Sequence, residues 1–347
     1  MHETRHSSLY RQYRPQTFAD VEGQDHITKI LEAAIKNKKV AHAYLFVGTR
    51  GTGKTSVARI LARELGVTDK DLYEIDAASH TGVDNIRELR EAVNVLPFES
   101  PYKFYIIDEA HMLSKQAWNA LLKTIEEPPP HALFVLATTE RDKVPDTIQS
   151  RCEVYTFKQP TREILSAVLT TVAKKEGFTL EKSAAELIAL LAEGSFRDSL
   201  SILQKVLSVS KDTKVDIAEV EVVAGAPRGE LIRSLMKALA DKDSSSALKA
   251  IEQAVTANLD MRILARLLIH RMRAVLLMRY APEIAETVAK ELTEADIELA
   301  KSIVKNPGVT SETLRALLRA YGDMAYAAVP HVPLELAVIE LSGTKAD

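Results

Sequence analysis

One cysteine, Cys152, stands in a chain of 347 residues. A lone thiol closes no internal disulfide and builds no cysteine-rich zinc site, and a reducing cytoplasm is its natural setting. Aromatic residues make up only 5% of the chain while Ala, Leu, Glu and Lys abound, a composition that leans toward helix. No uninterrupted apolar stretch approaches the ~20 residues that span a bilayer. Residues 263–279 come nearest, and Arg266, Arg271, Arg273 and Arg279 interrupt them. Met1 to Thr17 is polar and lacks the apolar core of a signal peptide. Positive charge is not in excess either: the net charge is −3, which argues against a strong autonomous nucleic-acid binder. A basic inner face assembled from several subunits stays open. Low-complexity segments and internal repeats are missing. What remains, 46% hydrophobic and 27% charged, is ordinary globular composition, long enough for two or three domains of roughly 100–150 residues.

The feature that is there is a glycine loop. Gly48-Thr49-Arg50-Gly51-Thr52-Gly53-Lys54-Thr55 fits G-x-x-x-x-G-K-[ST] and follows the apolar run Tyr44-Leu45-Phe46-Val47. Strand, glycine loop and helix in that order make a phosphate cradle. The glycines let backbone N–H groups approach phosphate oxygens, and the helix beginning near Lys54 adds its positive dipole end. Lys54 is then placed for the β- and γ-phosphates and the Thr55 hydroxyl for Mg²⁺; Ser56 continues the binding segment. Without its flanks the same string would be a glycine-rich surface turn.

A second motif turns binding toward hydrolysis. Phe104-Tyr105-Ile106-Ile107-Asp108-Glu109 is an apolar run ending in two acids, the pattern of a buried strand whose carboxyl end opens on a site. Asp108 suits Mg²⁺, which takes few protein carboxylates and keeps several waters. Glu109 is then the candidate to polarise the attacking water.

From about residue 20 to 157 strand-like runs (44–47, 72–75, 104–107, 133–137, 153–157) alternate with helical patterns at about 24–37, 54–65, 83–94 and 115–126. Alternation of this kind predicts an α/β fold, a parallel sheet with helices on both faces. After Pro160 the strand signal stops. Helical periodicity over 161–176, 181–193, 197–209 and 215–223 predicts a small all-helical domain, and Ala224-Gly225-Ala226-Pro227-Arg228-Gly229 reads as a linker. Seven further helices follow, at about 230–240, 244–257, 260–279, 282–289, 293–303, 311–328 and 333–341. The one near 260–279 carries five arginines (262, 266, 271, 273, 279) among Ile, Leu and Met; it reads either as a core helix with a solvated basic face or as a partner-binding helix.

Taken together, Tyr44 to Thr55, Tyr73-Glu74-Ile75-Asp76-Ala77-Ala78-Ser79, Tyr105 to His111, Glu126-Glu127-Pro128-Pro129-Pro130, Leu136-Ala137-Thr138-Thr139-Glu140 and Ser150-Arg151-Cys152 resemble the gamma/tau subunits of bacterial DNA polymerase III, AAA+ ATPases of the sliding-clamp loader. The resemblance is dense over roughly residues 8–210 and looser beyond. It implies an AAA+ P-loop domain (1–160), a helical lid (161–225) and an all-helical collar for oligomerisation (226–347). It implies ATP and Mg²⁺ as ligands, and as partners the delta and delta-prime subunits, the sliding clamp, primer-template DNA and further copies of the chain. By the same resemblance Arg151 matches an arginine finger acting on a neighbouring subunit's ATP, Thr139 matches sensor 1 with Thr138 as the fallback, and Arg197 matches sensor 2. Tyr10, Tyr13-Arg14-Pro15 and Val21 fall in the segment that packs around the adenine. Thr81, ahead of a helix, and Lys115 are the candidates for DNA contact, against an ordinary helix cap with a solvated lysine. A ring-forming DNA remodelling or branch-migration motor on the same core is the competing reading.

Two departures from the family stand out. Most gamma/tau subunits carry a four-cysteine zinc module after the phosphate-loop helix, whereas Leu65 to Leu72 bridges that gap directly here. The chain also ends at Asp347, after the expected collar, as a short form or as a piece of a longer protein. With one cysteine and nine scattered histidines, purified and chelator-washed protein is expected to contain no stoichiometric zinc. Metal analysis finding one zinc per chain would overturn that expectation.

Overall fold

The structure is a computed structural model and describes residues 8–79, 89, 91–284 and 292–343. Residues 1–172 with 192–204 form one compact unit, and residues 173–191 with 205–347 form another.

In the first unit five strands, β1 (Ala43–Val47), β2 (Leu72–Asp76), β3 (Lys103–Asp108), β4 (Ala132–Thr138) and β5 (Glu153–Thr156), form a sheet in the order β2-β3-β4-β1-β5. Every pairing is parallel, and Leu45 stands opposite Leu136 as Ile106 does Val135. Side chains alternate across a strand, and here both alternating sets are apolar. Leu45, Tyr105, Ile107, Phe134 and Leu136 pack on one face with Trp118, Leu121 and Ile125 of the helix Lys115–Glu126. Tyr44, Phe46, Phe104, Ile106 and Val135 pack on the other with Leu31, Val57, Ile60 and Leu61. Those residues come from the helices Asp25–Lys36 and Lys54–Glu64. Each large apolar side chain buried this way contributes about 2 kcal/mol, and the sheet is held from both sides. The expected strands and helices are met within a residue or two. The helix expected at 83–94 lies mostly outside the described residues.

The second unit is built from helices whose starts are written in the sequence. Asp216, Asp243, Asp260, Thr293 and Thr310 each accept a backbone N–H from the first turn that follows, the role those side chains play at N-caps. Two expectations need correcting. Strand does not stop at Pro160: Thr179–Leu180 (β6) pairs in parallel with Lys214–Val215 (β7). Each is a two-residue extended segment with a β-branched member, too short to leave a periodic signal. Residues 224–229 are no free linker. Gly225 takes the left-handed conformation that ends a helix, Ala226 and Pro227 are buried, and Gly229 N–H donates to Glu221 Oε1 at 3.2 Å. Of the helix expected near 282–289, Pro282–Ile284 is a 3-10 turn, and residues 285–289 lie outside the described residues.

Nor do the arginines of the helix Met261–Tyr280 make one solvated face. Arg271 is largely buried, with Nε 3.0 Å from Asp296 Oδ2, and Arg233 Nη1 lies 3.3 Å from Asp296 Oδ1. Burial pushes the Arg271 pKa down and the Asp296 charge opposes that shift. Arg266 donates to Leu191 O and to the Tyr321 hydroxyl, and Arg279 to the carbonyls of Asn306 and Val309. Arg262 and Arg273 are exposed, Arg262 with its guanidinium 5.2 Å from the Tyr321 ring. Among the described residues, no helix is long and apolar enough to cross a membrane.

One buried charge anchors the approach to β3. The Asp71 carboxylate accepts the backbone N–H groups of Phe98, Glu99 and Ser100 at 2.6, 3.0 and 2.9 Å. Burial opposes its charge, but these hydrogen bonds outweigh burial and hold the pKa down at about 2. A depressed carboxylate stabilises the fold above the unfolded pKa, and that share is lost as pH falls toward 2. Asp71→Ala should therefore cost about 1–3 kcal/mol at neutral pH by leaving three backbone N–H groups without their carboxylate. In denaturant melts, the gap to wild type should narrow between about pH 5 and pH 3. A pH-independent gap would contradict this account.

Candidate active site

The sheet delivers its chemistry at one end. The loop after β1, the acids closing β3 and the threonines closing β4 emerge side by side, because β4 pairs with both β1 and β3. Gly48 N–H donates to Thr138 O at 3.1 Å, tying the loop's first residue to β4. A side chain at Gly48 would meet Phe157 Cβ at 2.8 Å. Gly51 and Gly53 have φ of 76° and 102°, the left-handed region that favours glycine. A Cβ on Gly51 would also strike Ser195 Oγ at 2.0 Å.

Lys54 begins the helix Lys54–Glu64 and is 6% exposed. Its ammonium donates to the carbonyls of Gly48 and Thr49 at 2.7 and 2.9 Å. Burial lowers its pKa, and Glu109 and Asp108 push it back up. Thr55 Oγ1 donates to Asp108 Oδ2 at 2.8 Å. This hydroxyl and carboxylate are a hard-oxygen pair of the kind that holds Mg²⁺ alongside phosphate and water. No group of three or more His, Cys, Asp or Glu suited to a metal occurs among the described residues. Mg²⁺ bound through substrate phosphates does not require one, so the donor set fits.

Glu109 follows with φ 48° and ψ 43°, an uncommon backbone for a non-glycine residue. Its N–H donates to Asp108 Oδ1 at 3.0 Å, and Thr139 Oγ1 donates to Glu109 Oε2 at 3.4 Å. Thr138 is turned elsewhere, 3.2 Å from His111 Nδ1. Around this centre a pocket is lined by Arg50, Gly51, Gly53, Lys54, Thr55, Ser56, Asp108 and Glu109. Its far wall is Tyr10, Tyr13, Arg14, Pro15, Phe196, Arg197 and Leu200. The Arg197 guanidinium sits 5.2 Å above the Tyr10 ring, and Leu9 N–H donates to Gln204 Oε1. The N-terminal segment thus rides on the helix that carries Arg197. Burial lowers the Arg14 pKa, with Arg59 adding to the effect.

Thr49 and Thr52 shape the loop from behind: Thr52 Oγ1 donates to Thr49 O at 2.9 Å. Val21 packs, half-buried, against the sheet core and does not line the pocket, because its short side chain is spent on that contact. Arg151 lies away from the pocket. It donates to Thr147 O and pairs with Glu126 at the surface. Lys115 is exposed at the start of its helix, behind the Ser114 cap. Thr81 lies outside the described residues.

Several residues escaped the sequence reading. Phe196 lines the pocket and its N–H donates to Gly51 O at 3.0 Å. Gln24, fully buried, binds both the N–H and the carbonyl of Lys158 and reaches Thr52 O at 3.5 Å. Nothing local marks a glutamine for that task.

Over residues 23–74 and 67–161 the chain matches the family described as DNA polymerase III, delta subunit. Over 165–212 it matches the DNA polymerase III clamp loader subunit, ATPase lid domain. DNA polymerase III subunit tau of Bacillus subtilis (strain 168) is 38% identical over 98% of this chain and 64% of the relative. The tau subunit of Salmonella typhimurium (strain LT2) is 33% identical over 95% of this chain and 54% of the relative. The chain belongs to the DNA polymerase III gamma/tau family. It spans less than two thirds of the length of these relatives. Among solved structures, the Thermotoga maritima RuvB Holliday junction branch migration motor is similar with a TM-score of 0.53 at 23% identity. That likeness covers 65% of this chain and 79% of that one and carries the fold alone.

For a gamma/tau-family site of this geometry, Lys54→Ala should abolish ATP hydrolysis. It should weaken nucleotide binding about tenfold or more, since a charge-assisted contact is worth about 2 kcal/mol. Glu109→Gln should leave ATP bound and uncleaved. Normal turnover by Glu109→Gln would remove Glu109 from its assigned role.

Proposed function

We propose that this chain is the ATP-hydrolysing subunit of the bacterial replicative clamp loader, using ATP to place the sliding clamp on primed DNA for DNA polymerase III. The observation that carries the reading is the convergence of Lys54, Thr55, Asp108 and Glu109 on one pocket, in a chain related along its length to DNA polymerase III tau subunits.

The roles follow from the chemistry of each group. Backbone N–H groups of the glycine loop and the Lys54 ammonium bind the phosphates. Thr55 and Asp108 hold Mg²⁺, which when bound neutralises charge on the β- and γ-phosphate oxygens. Glu109 orients and polarises the attacking water, steadied by Thr139 in the sensor-1 role. Tyr10 and Arg14 flank the base, and Arg197 approaches the phosphates as sensor 2. Arg151 serves a neighbour: a guanidinium supplied across an interface stabilises charge building on the γ-phosphate, an effect worth ~10³–10⁵ in rate. Residues 1–160 then act as the nucleotide-binding part, 161–225 as the lid and 226–347 as the collar. The delta and delta-prime subunits, the clamp, primer-template DNA and further copies of the chain are its partners, with Lys115 and Thr81 reaching toward the DNA.

The reading is tested by ATP turnover with and without a ring clamp and primed DNA, where strong synergy between the two is expected. Stimulation by DNA alone, indifferent to the clamp, would favour a branch-migration motor instead. Arg151→Ala should keep ATP affinity and lose about 10³-fold of the stimulated rate. Mixed with Lys54→Ala chains, it should regain some hydrolysis where an intact Lys54 site faces an intact Arg151. Absence of recovery, with subunit exchange demonstrated, would assign Arg151 to its own site or to structure alone.

A further inference from the structure

His111 is the best-placed residue at this site that nothing above employs. It sits in the 3-10 turn Ala110–Met112 directly after Glu109, and its side chain is only 8% exposed. The ring spans two carboxylates. Nδ1 lies 3.4 Å from Glu109 Oε2, and Nε2 lies 3.3 Å from Glu140 Oε1. Thr138 Oγ1, itself buried, lies 3.2 Å from Nδ1 and accepts the Glu140 N–H at 3.0 Å. A ring with one proton donates to only one of these carboxylates, and a ring with both nitrogens protonated donates to both.

Glu109 needs such a support. Its left-handed backbone is sparsely populated, a conformation that costs about 1 kcal/mol and persists only where neighbours hold it. The Glu109 N–H to Asp108 and the Met112 N–H to Glu109 O, at 3.0 and 2.8 Å, fix the main chain. Neither fixes the carboxylate. Its oxygen Oε2 meets two groups, Thr139 Oγ1 and His111 Nδ1, both at 3.4 Å. Contacts of that length at a catalytic group are those that tighten in the reacting complex.

We propose that His111 is a positioning residue for Glu109, a ring that, with a proton on each nitrogen, ties the water-polarising carboxylate to Glu140. Glu140 is the far anchor. It is exposed, held by Lys143 at 2.9 Å, and its pKa is lowered chiefly by that lysine, with His111 adding to the effect. The inference rests on the ATPase reading, because Glu109 has a water to orient only if the site hydrolyses ATP.

The test compares His111→Ala, His111→Asn and Glu140→Gln with Glu109→Gln in the full chain, measuring ATP affinity, single-turnover hydrolysis and thermal melting. Expected is a loss of about 10- to 100-fold in hydrolysis for His111→Ala, the scale of a misplaced catalytic group, with ATP affinity and melting near wild type. His111→Asn, which keeps a donor close to the Nδ1 position, should recover part of the rate. Glu140→Gln should lose less, and its loss should not add in full to that of His111→Asn, because the two share one contact. Normal hydrolysis by His111→Ala beside an inactive Glu109→Gln would overturn the inference and leave the ATPase reading standing. A loss matched by lower melting and weaker ATP binding, with no recovery in His111→Asn, would also overturn it by making His111 merely structural. Normal hydrolysis by Glu109→Gln would remove the catalytic assignment and this inference with it.

Discussion

Everything at the site depends on β4 pairing in parallel with β1 on one side and β3 on the other. Val47 stands opposite Thr138, and Ile107 opposite Leu136. That register brings the last residue of β1, the acids of β3 and the threonines of β4 to one edge within a few ångströms. In a parallel sheet covered on both faces, a one-residue shift would exchange the two buried sets and set each against the wrong helices. The apolar alternation of Tyr105 and Ile107 against Phe104 and Ile106 therefore fixes the Thr55–Asp108 contact as firmly as it fixes the core.

Within that frame the glycine loop resolves a conflict of space and charge. It must turn sharply between a buried strand and a helix while leaving donors aimed outward. Gly48 allows the chain to press against Phe157, and Gly51 allows Ser195 and the Phe196 N–H to close on the loop from another element. The Lys54 ammonium is buried inside this turn, and burial alone disfavours its charge. Two backbone carbonyls and two nearby acids compensate. A desolvated cation with nearby acids is well suited to an anionic ligand carrying its own divalent ion, since the cation has shed its water before the ligand arrives.

The sequence disclosed the parts of this site that obey fixed spacing. The glycine loop, Asp108 and Glu109, and nearly every strand and helix were legible because each rests on local chemistry: a run, a cap, a period. Residues whose roles arise only from chain crossings were not. Gln24 is an unremarkable residue before a helix until the fold puts it against Lys158 and Thr52. His111 belongs to a familiar string, yet its two carboxylate neighbours come from different strand ends. The arginines of Met261–Tyr280 read as a basic face because periodicity sees one helix, whereas Asp296 and Tyr321 come from later helices and Asn306 and Val309 from the turn between them. The strands β6 and β7 fail for another reason: two residues are fewer than any period needs.

The second unit sharpens the same point. Its helix starts are encoded one by one in Asp and Thr caps, but apolar helical faces are largely interchangeable and do not say which helix meets which. The buried Arg271–Asp296 pair, with Arg233 on the second oxygen, is discriminating where leucines are not. Removing Asp296 strands the buried Arg271 charge, at about 3–5 kcal/mol, so packings that separate Arg271 from Asp296 are penalised far more than packings that exchange one leucine for another. The pair need add little net stability to select an arrangement. It acts through what it forbids, and a pattern read along one helix cannot register a prohibition that takes effect only between two.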